Sequence, residues 1–136
     1  MSERSVELVE KAYDAFGAGE VPAMRALFAE DFELDISGHP IPDFPNRGRG
    51  FEHLLAFLST YLSGFNDYEL EVRELRDAGG EVAALLHDRA RVGESGAVIE
   101  RDLAHVWTID DGLVVRLQAF TEDEAALAAA GIGAGA

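Results

Sequence analysis

Cysteine is absent from the 136 residues of this chain. Disulfide bridges, thiolate nucleophiles and cysteine-ligated zinc or iron are therefore excluded. Positive charge is scarce: 11 Lys and Arg residues stand against 26 Asp and Glu, a formal net charge of -15. Such a surface repels polyphosphates and anionic headgroups, so neither nucleic acid nor a membrane is an expected partner. No run comes near the roughly 18 apolar residues that a bilayer-crossing helix needs. Met1-Ser2-Glu3-Arg4-Ser5 leads into an amphipathic pattern with no apolar h-region, so no signal peptide is expected and the cytoplasm is the expected location. Four histidines, at 39, 53, 87 and 105, lack the close spacing of metal ligands. Phosphate-binding glycine loops, a zincin helix and a nucleophile elbow are missing as well. On these grounds no metal and no cofactor is expected.

What is present has the composition of a folded globular chain: 48% hydrophobic and 27% charged residues. No long Pro, Gly or Ser tract offers a linker, so residues 1–136 are expected to form a single domain. Val6, Val9, Tyr13 and Phe16 recur at helical spacing and predict a first helix, ended by Gly17-Ala18-Gly19. Pro22 suits the first turn of a second helix carrying Met24, Leu27 and Phe28. Phe32, Leu34 and Ile36 alternate with polar residues as in a half-buried strand. Three of the four prolines fall between Gly38 and Gly50, which predicts a long loop of the kind that frames a pocket. Phe51, Leu54, Leu55, Leu58, Tyr61 and Leu62 predict a third helix. Strands follow over 68–75, 82–92, 98–109 and 113–120, separated by turns at 77–80, 93–96 and 110–112. A short helix over 122–130 and a frayed tail over 131–136 complete the pattern. The expected fold class is α+β: a cone-shaped roll of three N-terminal helices on a strongly curved mixed, mainly antiparallel sheet, with a short C-terminal helix.

Side-chain parity selects candidates for chemistry. Arg101, Leu103, His105, Trp107 and Ile109 share one side of their strand, and the bulk of Leu103 and Trp107 marks it as the helix-covered side. On the preceding strand Leu85, His87, Arg89 and Arg91 are placed inward, and Val82, Ala84 and Leu86 outward. On the last strand Leu117 and Ala119 point inward, and Val114, Arg116, Gln118 and Phe120 outward. Arg89, Arg101 and His105 then converge, and buried charges need partners. The partner is either an acidic ligand or an acid of the chain itself, such as Glu100 or Asp102. His39 in the proline-rich loop is a candidate base, with Asp43 or Asp35 to orient it, against the alternative of a plain polar loop residue. His53 and His87 read as solvated or locally bonded. Tyr13, Phe16, Phe32, Tyr61 and Trp107 are core aromatics first and pocket walls second, and Ile36 and Leu117 join them in the expected pocket.

Several segments together resemble a known family. They are Ala15-Phe16-Gly17-Ala18-Gly19-Glu20, Leu27-Phe28-Ala29-Glu30-Asp31-Phe32, Gly48-Arg49-Gly50, His105-Val106-Trp107, Asp111-Gly112-Leu113-Val114-Val115-Arg116 and Phe120-Thr121-Glu122. The chain resembles the SnoaL-like polyketide cyclases of the nuclear-transport-factor-2-like superfamily over nearly its whole length. That superfamily holds isomerases, cyclases, dehydratases, epoxide hydrolases and binding proteins, so the resemblance implies a scaffold more than a reaction. The carboxylate base of the ketosteroid isomerases falls on Ile36, their oxyanion tyrosine near Ala12 beside Tyr13, and their second acid near Ala104 or His105. The arginine of the limonene epoxide hydrolases matches Arg89, but its flanking aspartates fall on Arg91 and Ala119. The carboxylate of the polyketide cyclases lies nearest to Glu122 and Asp123.

Two functions are expected from this. One is cofactor-free acid–base isomerisation, cyclisation or hydration of a small apolar or aromatic metabolite, with His105 moving the proton and Arg89 or Arg101 steadying negative charge. The other is a small-ligand-binding or accessory protein that does no chemistry. A homodimer through the outer sheet face is also expected, because the outward apolar set, Val82, Ala84, Leu86, Ala104, Val106, Val114 and Phe120, needs a cover.

Overall fold

The computed structural model describes residues 2–132. Two helices come first, α1 (Ser2–Ala18) and α2 (Val21–Arg25), then strand β1 (Phe28–Gly38) and the short β2 (Arg47–Arg49). Helix α3 (Phe51–Leu62) follows, then β3 (Phe65–Asp77), β4 (Glu81–Val92), β5 (Ala97–Asp110), β6 (Leu113–Phe120) and α4 (Asp123–Ala129). The six strands form one sheet in the order β2-β1-β6-β5-β4-β3. Its pairs are antiparallel except β1 with β6, which run parallel.

The α+β class stands, but the expected architecture needs correction. Two helices, not three, precede the sheet, and α3 is inserted between β2 and β3. The sheet is open, with β2 and β3 as its edges, and is neither strongly curled nor a cone-shaped roll. The second helix is only five residues long, because Leu27 lies in the turn that follows it and Phe28 already begins β1. The proline-rich loop is interrupted by β2, which pairs with β1 through Glu33 and Arg49. Of the expected tail, residues 133–136 lie outside the described residues.

Local sequence explains the connections. Asp111 (φ 52°) and Gly112 (φ 77°) form a two-residue turn with both central residues left-handed, the geometry that suits the twist of a β5–β6 hairpin. At Gly38 a Cβ would stand 2.5 Å from the Phe120 ring and 2.7 Å from the Ala119 carbonyl. Only glycine lets β1 end this close to β6, and His39 emerges from that end.

Helices α1 and α3 cover one face of the sheet, and α4 packs against β4, β5 and β6. The main core lies on the first face, where Val9 and Ala12 of α1 meet Phe32, Leu34, Ile36, Leu86, Trp107 and Val114. A second, smaller core lies on the other face, where Ala126 and Ala130 meet Ala83, Leu85, Ala104 and Val106. The parity expected for β4 was therefore inverted. In register, Val82 faces Trp107, Ala84 faces His105 and Asp88 faces Arg101, so these β4 residues share the inner side. The helix α4 is the cause: with both faces covered, residues 82 to 86 are all buried and show no alternation. Val114 is also inner, because Val115 is an extra residue opposite the Thr108–Ile109 step and the bulge turns its neighbour over.

The apolar patch from which a dimer was expected is thus differently made. Val82, Ala84, Leu86 and Val114 belong to the inner core, while Ala104 and Val106 are covered by the chain's own α4. Among the described residues no helix is long and apolar enough to cross a membrane.

Ala126 has no exposed surface. Replacing it by Asp puts a carboxylate against Ala83, Ala104 and Val106, which should cost about 2–4 kcal/mol. We expect a glutamate-specific protease to cut Ala126→Asp after Glu122 or Glu124 faster than it cuts the unaltered chain. Unchanged protection would show that this packing does not hold α4 down.

Candidate functional site

The inner face of β5 carries two ring side chains in succession, His105 and Trp107, and α1 lays Tyr13 across both. The indole Nε1–H of Trp107 donates to the Tyr13 hydroxyl at 2.9 Å. The hydroxyl lies 2.7 Å from Nδ1 of His105. The oxygen could accept from both rings, but the hydroxyl's own proton meets no other acceptor among the described residues, so it points to Nδ1. His105 is then the neutral tautomer with its proton on Nε2. Burial supports the neutral form: it pushes the imidazole down to about 3, with the field of His39 adding to the effect. Burial likewise raises the Tyr13 hydroxyl far above the ordinary phenol value. Tyr13 stacks on His105 at 5.9 Å and meets Trp107 edge-on at 5.2 Å.

Beneath these rings is a cavity of about 60 Å³, walled by Tyr13, Phe16, Phe28, Leu58, Leu70, Leu117 and the faces of His105 and Trp107. His105 is half-buried and its ring forms part of the cavity wall. Among the described residues its Nε2 has no hydrogen-bond partner in the chain.

A second polar cluster lies further along the same face. Asp88 is 1% exposed. Its carboxylate accepts from Arg101 Nε and Nη2 at 3.2 and 2.9 Å, from the Tyr61 hydroxyl at 3.1 Å and from the Tyr68 hydroxyl at 2.8 Å. Arg101 also donates to Tyr61 at 2.6 Å and lies over the Tyr61 and Phe65 rings. Burial, reinforced by the Asp88 charge, pushes the Tyr61 hydroxyl up to about 12. Tyr68 is raised further by burial and by its two neighbours. His39 meets Tyr61 edge-on at 5.6 Å. Burial, with the Arg101 charge beside it, lowers its imidazole below the ordinary value.

Measured against the expected site, Tyr13, Phe16, Trp107, Leu117 and His105 come together at the cavity. Arg101 and Tyr61 meet each other and His39 at the second cluster. Phe32 and Ile36 are sealed in the core at 0% exposure and do not line the cavity. Arg89 is a correction: it is exposed and on the opposite face, paired in register with Glu69 and Glu100. Asp35 does not orient His39, because its carboxylate is bound to Ser37 at 2.9 Å and faces Arg47 and Arg116. These donors hold the Asp35 carboxyl below the usual range against the opposing effect of burial. His87 is locally bonded, to Asp102 at 2.9 Å and Glu100 at 3.1 Å. His53 is not solvated: its Nε2 is sealed without a partner, against Gly48.

Sequence reasoning missed Asp88 and Tyr68. Extending the inner parity of β5 across the hairpin would have found the carboxylate, because Asp88 stands opposite Arg101. Among the described residues no three acidic or imidazole side chains converge as a metal site would require.

The model of the SnoaL-like domain family matches residues 9–117, which takes in the C-terminal part of α1, both polar clusters and most of the sheet. This chain belongs to that family. No curated protein sequence matches this SnoaL-like chain significantly. Solved structures share its fold. An NTF2-like protein of unknown function from Burkholderia pseudomallei is 18% identical, with a TM-score of 0.77 over 92% of this chain and 95% of the other. TerC, co-crystallised with polyporic acid, is 18% identical, with a TM-score of 0.77 over 90% and 94%. An NTF2-like protein from Burkholderia thailandensis is 25% identical, with a TM-score of 0.73 over 91% and 94%.

The state of His105 in this SnoaL-like chain has a measurable sign. Its imidazole titrates near 6.5 when unfolded and at about 3 when folded. Between those values the unfolded chain holds the extra proton, so the stabilisation is complete above about 6.5 and is lost as pH falls toward 3. The slope is about 1.4 kcal/mol per pH unit. In urea unfolding from pH 7 to pH 4, the unaltered chain should lose stability more steeply than His105→Gln by about that slope. Parallel curves would mean that His105 is not held neutral.

Proposed function

We propose that the chain is one SnoaL-like domain that binds a small, largely apolar molecule bearing a carbonyl oxygen, and that His105 Nε2–H holds that oxygen. The observation that carries this reading is the tautomer. Tyr13 occupies Nδ1, so the other edge of the ring is a donor beside an apolar cavity. A neutral imidazole is a poor base when its lone pair is already used. It is a good donor to an oxygen that gains negative charge. His105 therefore steadies charge rather than removing a proton, the reverse of the role its sequence position suggested. Arg101 is committed to Asp88 and is not the anion-stabilising group. That TerC was crystallised with polyporic acid supports an organic, oxygen-bearing ligand for this fold.

The reaction this arrangement favours is cofactor-free isomerisation. A proton leaves the carbon next to the carbonyl, and the C–H electron pair becomes an enolate whose oxygen rests on His105 Nε2–H. Return of the proton at another carbon completes the change. His39 is the base of this scheme: it is kept neutral and, among the described residues, makes no hydrogen bond that uses its lone pair. A second reading, ligand binding without chemistry, is favoured by the absence of any carboxylate among the cavity walls.

A panel of cyclic and aryl ketones in deuterated water, followed by NMR, separates the two. His105→Phe fills the ring volume without a donor and should weaken ketone binding about fivefold to tenfold, the loss of one hydrogen bond. Deuterium should enter the carbon next to the carbonyl with the unaltered chain and not with His39→Gln. Binding without deuterium entry would establish the second reading. Equal ketone affinity in His105→Phe would remove His105 from the site.

A further inference from the structure

At about 60 Å³ the cavity below His105 is too small for a ring, since a buried space of roughly 150 Å³ is what admits benzene. Two larger hollows lie beyond its walls. One, of about 500 Å³, opens between the end of α1 and β3 and shares Tyr13, Phe16 and Leu70 with the cavity. The other, of about 260 Å³, lies among α1, α2 and α3 and shares Phe16, Met24 and Leu58 with it. Phe16 is the side chain that borders all three.

Its neighbours differ from it in how firmly they are held. Tyr13 is bonded to His105 and Trp107, and Met24 is 6% exposed in the core. Tyr68, whose ring Phe16 meets edge-on at 6.3 Å, is anchored by its bond to Asp88. Phe16 has no polar anchor, is half-buried, and stands in the last turn of α1. That turn has no basic side chain to bind its terminal carbonyls. Gly17 and Gly19 follow, and a Cβ at either would meet nothing within 4 Å. The helix end that carries Phe16 is therefore bordered by open space.

We propose that Phe16 is the partition that sets ligand size. Moving its ring joins the inner cavity to the hollow between α1 and β3, and the joined space falls in the range of roughly 300–1,000 Å³ typical of small-molecule sites. The ligand that fits is elongated, with its oxygen end at His105, an apolar middle, and a far end that meets Leu62 and Leu70 together with Tyr68 and Glu69. The oxygen's position rests on the function proposed above; the partition does not.

The lack of cysteine permits a test that needs no ligand. Ala12 lines the inner cavity and is 2% exposed, so Ala12→Cys is a lone thiol behind the partition. Its modification by methyl methanethiosulfonate is to be timed with Phe, Ala or Trp at position 16, with urea unfolding measured for each. Phe16→Ala should speed modification about tenfold beyond any change in global unfolding, as local opening requires. Phe16→Trp should slow it. Leu117→Cys, on the opposite wall, repeats the experiment if the first thiol disturbs folding. Equal rates in the three backgrounds, or rates that follow global unfolding alone, would overturn the proposal. A responsive thiol together with ketone binding indifferent to His105 would keep the partition and discard only the ligand's orientation.

Discussion

A carboxylate with almost no exposed surface must be met by donors, and Asp88 draws its donors from three elements. Arg101 comes from β5, Tyr61 from α3 and Tyr68 from β3. A single buried charge thereby ties the outer edge of the sheet and the helix above it to the central hairpin. Removing any one donor leaves the others around a charge that the interior tolerates poorly. The cluster also commits its own members: Arg101 is spent on Asp88 and both tyrosines keep their protons, while among the described residues the imidazoles of His39 and His105 lie outside it.

The second fixed point is the Tyr13 hydroxyl. It accepts from Trp107 and donates to His105, so one oxygen decides the tautomer of the ring beside the cavity. The helix that brings Tyr13 also brings Phe16 one turn later, and both face the same hollow. Site electrostatics and site volume are thus set by neighbouring positions on α1. The sheet supplies rigid backing, and the helix end supplies what can change.

Much of the fold was legible. The apolar spacing of α1 and α3, the turns at 77–80 and 93–96 and the Asp111-Gly112 hairpin all stand where local chemistry puts them. On β5 the bulk of Leu103 and Trp107 revealed the inner side, and His105 and Arg101 came with it. Its neighbour β4 was illegible, because burial of Val82 to Leu86 on both faces erases the alternation that parity depends on. Arg89 was drawn inward by that error and Asp88 pushed outward. The Val115 bulge was hidden for a related reason, since three branched or leucine residues in a row carry no signal of which one is extra. Bonding partners inside the site were the least readable part. Nothing local in Tyr68 or Asp88 announces that they meet across twenty residues.

The placement of α4 has a consequence for association. Its Ala126, and Ala130 just beyond its end, lie on a strip of Ala83, Leu85, Ala104 and Val106, apolar side chains on two hydrogen-bonded strands. Uncovered, that strip would be a flat apolar template of the sort that adheres to copies of itself, and the like charge carried by every copy would be its main protection. With seven helical residues laid over it, the same strip becomes a seam inside the chain. The final helix therefore acts as an intramolecular guard against aggregation, and a chain shortened ahead of Asp123 would depend on its charge, and so on low ionic strength, to remain dispersed.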